Sequence, residues 1–516
     1  MRRAPPMEIE LKLQLRPEHI DRFRRSRVLS KAGCNEVDID NVYFDTADRL
    51  LQRHQMTLRV RRLDGGWLQT LKQQATRGAV SQRGEWETPA RVVGGQGRIN
   101  LARLSESPLP ALLAKQKSPV RLQPMFKTHV RRTQWIVTRG DATIEVALDI
   151  GEITAAAAQG ALRETICEVE LELKHALRGN GPTALLNLAL ELLDGSGKAA
   201  PSLTPVARSK AERGYQLVAQ QPPAAVRASA KGFAGSVGSK STTATAARAV
   251  VAHGLSVLTA NVECLLRYDD PEYVHQSRVA LRRVRSAIRL LDSEQKDVPG
   301  SLVDELRWFA SALGEARDWD VITNETLPSL IANMGLDGAK RLVARADARR
   351  RQAGENVRKS ALSARYGALV LNGEKWSLTS APADAELLTA VAAPSLQAAS
   401  KKLFKAARFF TALTPERRHQ VRILAKRLRY ALDTFAVVLP KRATERYVAA
   451  LSDLQDVLGE LNDASVTTTV LPQLTQSSRI RKAVQQSMDS VEPSRVRDTE
   501  EKLLKLSKLQ TLWASE

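Results

Sequence analysis

V-H-Q-S-R-V-A-L-R-R-V-R-S-A-I-R-L-L, from Val274 to Leu291, returns later in the chain as R-H-Q-V-R-I-L-A-K-R-L-R-Y-A-L-D-T-F, from Arg418 to Phe435. Each copy is followed by a Leu-Gly pair, read as a turn, and then by two acidic residues: L-G-E-A-R-D-W-D-V from Leu313 and L-G-E-L-N-D-A-S-V from Leu458. His275 maps onto His419 with an offset of 144, and Gly314 onto Gly459 with an offset of 145. A match of order and spacing over that length identifies a duplicated helical unit.

On a 3.6-residue period His275, Arg278, Arg282, Arg285 and Arg289 share one stripe, and Ala280, Val284, Ile288 and Leu291 form a separate apolar one. The second copy repeats both, with His419, Arg422, Lys426 and Arg429 set against Leu424, Leu428, Leu432 and Phe435. Like charges three and four positions apart repel and destabilise an isolated helix. A bound polyanion offsets that repulsion, whereas a solvated face merely dilutes it. Duplication with the same positions kept basic favours the anion site. The pattern predicts two helical bundles related by a pseudo-two-fold axis, with both ladders lining one groove.

The chain has 516 residues, room for two to four domains, and a net charge of +22 that selects polyanions as partners. The excess is not confined to a tail: residues 1–220 carry 34 basic and 24 acidic side chains, residues 221–516 carry 44 and 32. Three widely spaced cysteines, Cys34, Cys167 and Cys264, argue against a disulfide framework and for a reducing compartment. Met1-Arg2-Arg3 is not followed by an apolar stretch of signal-peptide type, and no segment has the length and apolarity to span a bilayer. The expected location is cytoplasmic.

Gln221 to Ala247 is rich in Pro, Ala, Gly, Ser and Thr and reads as a flexible linker. It gives the expected division: a first domain over 7–218, a linker over 219–247, and a helical domain over 248–512 whose helical pattern starts near Ala249. Ahead of the linker, alternating stretches predict strands at Glu8–Leu15, Met56–Arg62, Leu68–Lys72, Gly84–Thr88, Thr133–Thr138, Ile144–Ile150 and Ile166–Leu173. The fold class is therefore multidomain α+β.

Glu8-Ile9-Glu10-Leu11-Lys12 places two carboxylates and an ammonium on one strand face. Glu168-Val169-Glu170-Leu171-Glu172-Leu173-Lys174 does the same with three carboxylates. Same-face neighbours about 7 Å apart repel by about 2.4 kcal/mol at an effective dielectric of about 20. A solvated edge dissipates that repulsion, and a hard divalent cation converts it into binding energy. Between these strands come Arg59 and Arg61, then Lys72, then Arg83, Glu85 and Glu87, then Arg131, Arg132 and Asp149. Strands carrying both signs in alternation with apolar residues fit a closed barrel with a charged lumen.

E-I-E-L-K at Glu8, Y-F-D-T at Tyr43, L-R-V-R at Leu58, R-G-E-W-E at Arg83, E-V-E-L-E-L-K at Glu168 and S-K-A-E-R-G-Y at Ser209 resemble the CYTH superfamily, the triphosphate tunnel metalloenzymes. The two basic helices, with V-H-x-x-R-V and L-G-x-A-R-D-x-D-V, resemble the CHAD domain, a helical module associated with polyphosphate binding. The first resemblance implies an eight-stranded antiparallel barrel whose lumen binds inorganic triphosphate with Mg²⁺ or Mn²⁺. Carried over by position, it implies Glu8 and Glu10 as metal ligands with Glu170 and Glu172 opposite, and Glu168 as a third candidate because the triplet leaves the register open. It implies Lys12, Arg59, Arg61, Lys72, Arg132 and Lys210 as phosphate ligands, and Glu85, Glu87 and Lys72 as the groups acting on the reacting atoms, either glutamate orienting the attacking water or a second metal. The first six residues then read as an extension.

The leading expectation is a metal-dependent inorganic triphosphatase with an appended domain for long-chain polyphosphate. Two other readings compete: a polyphosphate-binding, granule-targeting protein with a slow barrel, and a nucleic-acid-binding protein. Nucleic-acid readers interleave aromatics with their cations, and the ladders hold Tyr430 alone. No G-x-x-x-x-G-K-[ST] loop supports a P-loop mechanism. An adenylyl cyclase of the same barrel family fits less well, given the Ser209–Tyr215 end segment and the CHAD partner. Trp67, Trp86 and Trp135 read as barrel-wall packing. Arg317 is paired in this reading with Asp318, a bridge the second copy cannot repeat because Asn462 precedes Asp463.

Overall fold

The computed structural model describes residues 7–63, 65–74, 80–117, 119–157, 160–176, 180–194, 201–229, 231–292, 296–332 and 339–509, with backbone alone at 231, 234, 329, 330, 332, 339, 462–469 and 487. The first six residues, the end of the expected helical domain at 510–512 and the Asp463 side chain lie outside what is described. The chain forms two compact units. One comprises Met1–Ala225 with Thr259–Tyr268 and Ala361–Lys375, and the other Val226–Leu258, Asp269–Ser360 and Trp376–Glu516.

The first unit is built on eight antiparallel strands: β1 (Met7–Leu15), β2 (Cys34–Asp45), β3 (Met56–Leu63), β4 (Gly66–Gln74), β5 (Val80–Pro89), β6 (Gln123–Arg139), β7 (Ala142–Ala157) and β8 (Gly160–His175). Their order is β8-β7-β6-β2-β3-β4-β5-β1, and β1 pairs back onto β8, closing the barrel. Alternation decides which side chains face inward. On β1 the charged Glu8, Glu10 and Lys12 line the lumen, while Leu11 and Leu13 point out and are fully buried. Helix α1 (Gly181–Asp194) packs against β1 and β8 and buries Leu185, Leu186, Leu188 and Leu192. That apolar burial, about 1.5–3 kcal/mol per leucine, holds the wall while the lumen stays polar.

Seven of the eight strands fall where alternation places them. The eighth, β2, inverts the pattern: Val37, Ile39 and Tyr43 face the lumen, and Asp38 and Asp40 face solvent. Asp and Asn at alternate positions disguise it as a loop. Its outer carboxylates are met from β6, Asp40 by His129 at 2.8 Å and Asp38 by Arg131 at 3.3 Å.

Helix α2 (Lys210–Ala219) follows the barrel strands. Ser209 caps it in a capping box with Glu212, which fixes the first turn. The linker reading needs correction in its second half. Helix α3 (Thr243–Leu265) begins inside it, because the Thr242 hydroxyl accepts from the Thr245 N–H and an Ala/Val-rich run follows. Val226–Leu258, which includes the second half of that stretch, belongs to the helical unit.

In that unit, α4 (Pro271–Leu291) and α5 (Gly300–Val321) answer to α7 (Pro415–Phe435) and α8 (Lys441–Leu474), with α6 (Leu388–Ala406) answering to α3. The ends of α4 and α7 differ by 144 at both termini. Each starts with proline in its first turn behind a capping residue: the Asp270 side chain accepts from Glu272 N–H, and that of Thr414 from Arg417 N–H. Thr242 and Leu387, 145 apart, pair as an antiparallel bridge, with Thr243 N–H donating to Glu386 C=O at 2.8 Å and Leu388 N–H to Ser241 C=O at 2.9 Å. Such reciprocal exchange between corresponding positions is what a two-fold relation of the halves requires. The Leu-Gly pairs are not turns. Gly314 lies inside α5 and Gly459 inside α8, a tolerated placement that costs about 1 kcal/mol against alanine. The apolar stripe of α4 is buried throughout, whereas on α7 Leu424 is only half-buried and Val421 and Ala425 complete the packed face. No helix among the described residues is long and apolar enough to cross a membrane.

Candidate functional site

The barrel encloses a cavity of about 640 Å³. Glu8, Glu10, Lys12, Arg59, Arg61, Lys72, Glu85, Glu87, Arg132, Glu170, Glu172 and Lys210 all line it. Glu168 does not. It is buried beyond the cavity wall, where Arg213 reaches it at 2.7 Å and Lys210 at 2.5 Å, so its carboxylate is committed to protein cations. Arg131, adjacent to Arg132, points outward, as the strand period demands.

The β1–β8 register sets Glu10 opposite Glu172 and Lys12 opposite Glu170. Opposed carboxylates repel, and the lumen offsets this with cations. Lys72 reaches both oxygens of Glu8 at 2.6 Å and Glu85 at 3.4 Å. Arg83 approaches Glu10 at 2.8 Å, and Lys12 is in contact with it. Burial pushes the Glu10 carboxyl upward, but Lys12 and Arg83 outweigh it and hold the group at about 2. Glu172 shifts the other way: burial raises it, Lys174 only partly opposes, and Glu8 adds to the rise. Arg61 donates to Glu87 at 2.8 Å, and Thr70 donates to the same carboxylate at 2.9 Å.

Asp149, Glu145, Arg83 and Lys174 also line the cavity; the alternating pattern includes Arg83 and Asp149 among its charged positions, but none of the four carries an assigned ligand role. Asp149 is fully buried, takes a two-point contact from Arg132 at 2.7 and 2.6 Å, and accepts from Lys210 at 2.6 Å. The signal for it was present, since Glu145, Ala147 and Asp149 share one face of the strand expected at Ile144–Ile150. Carboxylate oxygens of Asp149, Glu168 and Glu170 lie within 4.8 Å of one another, an acidic cluster of metal-ligand type. The cation between them is the Lys210 ammonium, at 2.6, 2.5 and 3.0 Å. Glu170 also binds Arg132 at 2.5 Å, and these cations, against the effect of burial, hold its carboxyl well below the usual range.

Two features fit the lumen to a bound anion beside a cation. The Nε atoms of Arg59, Arg61 and Arg83 are buried without a hydrogen-bond partner, a costly state that an anionic ligand relieves. Glu8, Glu10, Glu170 and Glu172 supply the hard oxygen donors that Mg²⁺ or Mn²⁺ takes.

In the helical unit, α4 packs on α7. Tyr430 lies beneath three guanidinium groups, Arg282 at 5.3 Å, Arg283 at 5.6 Å and Arg429 at 5.4 Å. The ladders therefore meet at this ring. Burial depresses the Arg282 guanidinium, Tyr430 opposes that, and Arg278, Arg429 and Arg422 depress it further, so cations of both copies crowd one place. Arg289 of α4 likewise depresses Arg427 of α7, after burial. Arg283, which the stripe omits, is paired with Asp433 at 2.8 Å. Arg317 pairs with Glu325 at 3.0 Å, and Asp318 instead meets Arg278 of α4 at 3.7 Å, because adjacent residues on a helix point away from each other. Trp135 is wall packing, edge-on to Phe23 at 6.0 Å.

The fold and its lumen define a multidomain α+β protein with a closed, doubly charged barrel ahead of a duplicated helical region. The chain carries a CYTH domain, matched over residues 6–218, followed by a CHAD domain, matched over residues 249–472. An inorganic triphosphatase of Haemophilus influenzae is 32% identical over 179 residues, a match covering 32% of this chain and 45% of that protein's length. The solved CHAD domain of the plant Ricinus communis matches 56% of this chain and 98% of its own at 29% identity, with a TM-score of 0.48. PptA from Streptomyces chartreusis matches 55% of this chain and 98% of its own at 19% identity, with a TM-score of 0.38.

Proposed function

We propose that the barrel hydrolyses inorganic triphosphate with Mg²⁺ or Mn²⁺ and that the helical unit binds long-chain polyphosphate. The observation that carries the first part is the coexistence, in one cavity, of the carboxylates Glu8, Glu10, Glu170 and Glu172 with cations whose Nε atoms lack partners. The triphosphatase relative supports the same substrate.

Glu8, Glu10, Glu170 and Glu172 would hold the divalent ion, with Glu168 left to its Lys210 and Arg213 partners. Such an ion, when bound, neutralises phosphate oxygens and eases ionisation of water. Arg59, Arg61 and Arg132 bind phosphate oxygens through forked donors, and Lys12, Lys72 and Lys210 bind them as point charges. Their joint effect is positioning and charge neutralisation, the main route to phosphoryl-transfer catalysis. Water orientation falls to Glu85, since Glu87 is already engaged by Arg61 and Thr70 while Glu85 has Lys72 at 3.4 Å.

For the helical unit the support is the convergence of Arg282 and Arg429 on Tyr430, with Arg278 and Arg422 close by. A ligand that is all phosphate satisfies cations that lack base-reading partners. Phosphate release from triphosphate, pyrophosphate, ATP and long-chain polyphosphate, with and without each metal, tests the proposal. Metal-dependent turnover highest on triphosphate is the expected result, and absence of turnover on triphosphate contradicts it.

A further inference from the structure

Of the lumen cations assigned above, Lys210 alone comes from a helix. It occupies the first position of α2, where the helix dipole disfavours a cation. Its contacts with Asp149, Glu168 and Glu170 offset that, provided the start of α2 is held in place. The Ser209–Glu212 box fixes the turn itself but not the chain that enters it.

That entry is held by Glu263, from the Thr259–Tyr268 segment that belongs to the same compact unit as the barrel. Its carboxylate is 2% exposed. Oε2 accepts from the Ala207 and Arg208 N–H groups at 3.0 and 3.1 Å, and Oε1 accepts from Arg208 Nε at 2.9 Å. Three donors on two consecutive residues thus converge on one buried anion, immediately before the cap. A second route runs from the same segment: Arg267 and Arg213 share Glu164, Arg213 reaches Glu168 at 2.7 Å, and Glu168 binds Lys210. Charge-assisted bonds of this kind are the strong ones, and removing the shared acceptor strands buried donors.

We infer that Glu263 is a positioning residue of the tunnel, acting through the Ala207–Arg208 entry to α2 on the placement of Lys210. The inference rests on the lumen reading above. It means that the segment 7–218 carries every lumen group but lacks the clamp that places one of them.

The test is a double-mutant cycle in the full chain, read as the Kd of triphosphate by calorimetry and as KM. Glu263→Gln keeps the size but replaces one acceptor oxygen by a donor, so at least one of the three N–H groups faces another donor. It is expected to weaken triphosphate by about tenfold, or about 1.4 kcal/mol, with the melting temperature nearly kept. In a Lys210→Ala background the same change is expected to have less than about a twofold effect, because coupled residues are non-additive. Arg208→Met, which spares both backbone bonds, gives a smaller shift with the same dependence on Lys210 and serves if Glu263→Gln fails to fold. Unchanged affinity, or equal losses with and without Lys210, overturns the inference. Because Kd is read without turnover, an inactive wild type would count against the triphosphatase reading and leave this test intact.

Discussion

The Tyr215 hydroxyl donates to Oδ2 of Asp45 at 2.8 Å, joining the last residue of S-K-A-E-R-G-Y to the Y-F-D-T motif 170 residues earlier. Asp45 is fully buried and also accepts from the N–H groups of Thr46, Leu51 and Gln52, so it anchors the turn after β2 as well as the tyrosine. Two of the stretches that resemble the CYTH superfamily are thus structural partners. Together they seat α2, and with it Lys210, against the barrel.

Gly214 tests that seat. A β-carbon there would meet the Phe126 ring at 2.1 Å, and Phe126 is confined by Tyr43, stacked at 4.6 Å, and by Tyr215, edge-on at 5.2 Å. Gly214→Ala gains about 1 kcal/mol of helix propensity, but overpacking a confined ring costs about 1–3 kcal/mol. Net destabilisation with weakened triphosphate binding is expected, read by thermal unfolding and calorimetry.

Arg61 lines the lumen with its Nε unpartnered and one Nη on Glu87. Arg61→Ala is expected to raise KM for triphosphate by about tenfold with a smaller fall in kcat, the mark of an interaction made largely in the ground state. Steady-state kinetics with excess metal reads the split.

The pH dependence of stability follows from Glu10. Its carboxyl is held at about 2 in the folded chain against the ordinary 4.5 of a glutamate, so its contribution is complete above pH 4.5 and is lost as pH falls toward 2. In Glu10→Gln, Arg83 loses the carboxylate it approaches and Lys12 keeps only Glu170, at 3.7 Å. The stability gap between wild type and variant, of the order of 3 kcal/mol at neutral pH, is expected to narrow as pH falls through that window. Denaturant unfolding at pH 6, 4.5 and 3.5 measures it, and a constant gap contradicts the assignment.

On the helices, Arg282→Glu with Lys426→Glu is expected to weaken long-chain polyphosphate far more than Arg350→Glu with Lys401→Glu. Arg350 is already paired with Asp347 at 2.9 Å, whereas Arg282 lies under crowding from cations of both copies. Polyphosphate binding by the full chain, measured across salt concentrations, gives the slope as well as the affinity. Equal losses from the two pairs would mean that diffuse basicity does the binding.

Much of this architecture was legible in the residues. Charge alternation placed seven of eight strands, and the repeat located α4 and α7, whose C-terminal ends fall at Leu291 and Phe435 as read and whose starts, Pro271 and Pro415, lie three residues ahead of Val274 and Arg418. What escaped had physical causes. β2 escaped because its apolar face is the lumen face. Gly314 and Gly459 were read as turns because glycine ordinarily ends helices, and the start of α3 was hidden by linker-like composition. Glu168 looked equivalent to Glu170 and Glu172 on one strand face. Its capture by Arg213, which comes from a helix distant in sequence, is a tertiary fact that alternation does not encode.

The most direct test of the tunnel reading is the rate of phosphate release from triphosphate as Mg²⁺ or Mn²⁺ is titrated into wild type, Glu10→Ala and Glu170→Ala. Removing one carboxylate empties no apolar core, so all three proteins are expected to fold. The account predicts metal-dependent turnover for wild type and a loss of at least about a hundredfold in each variant at low metal, from weakened charge neutralisation at the reacting phosphate. Wild-type turnover in both variants at low metal would contradict it.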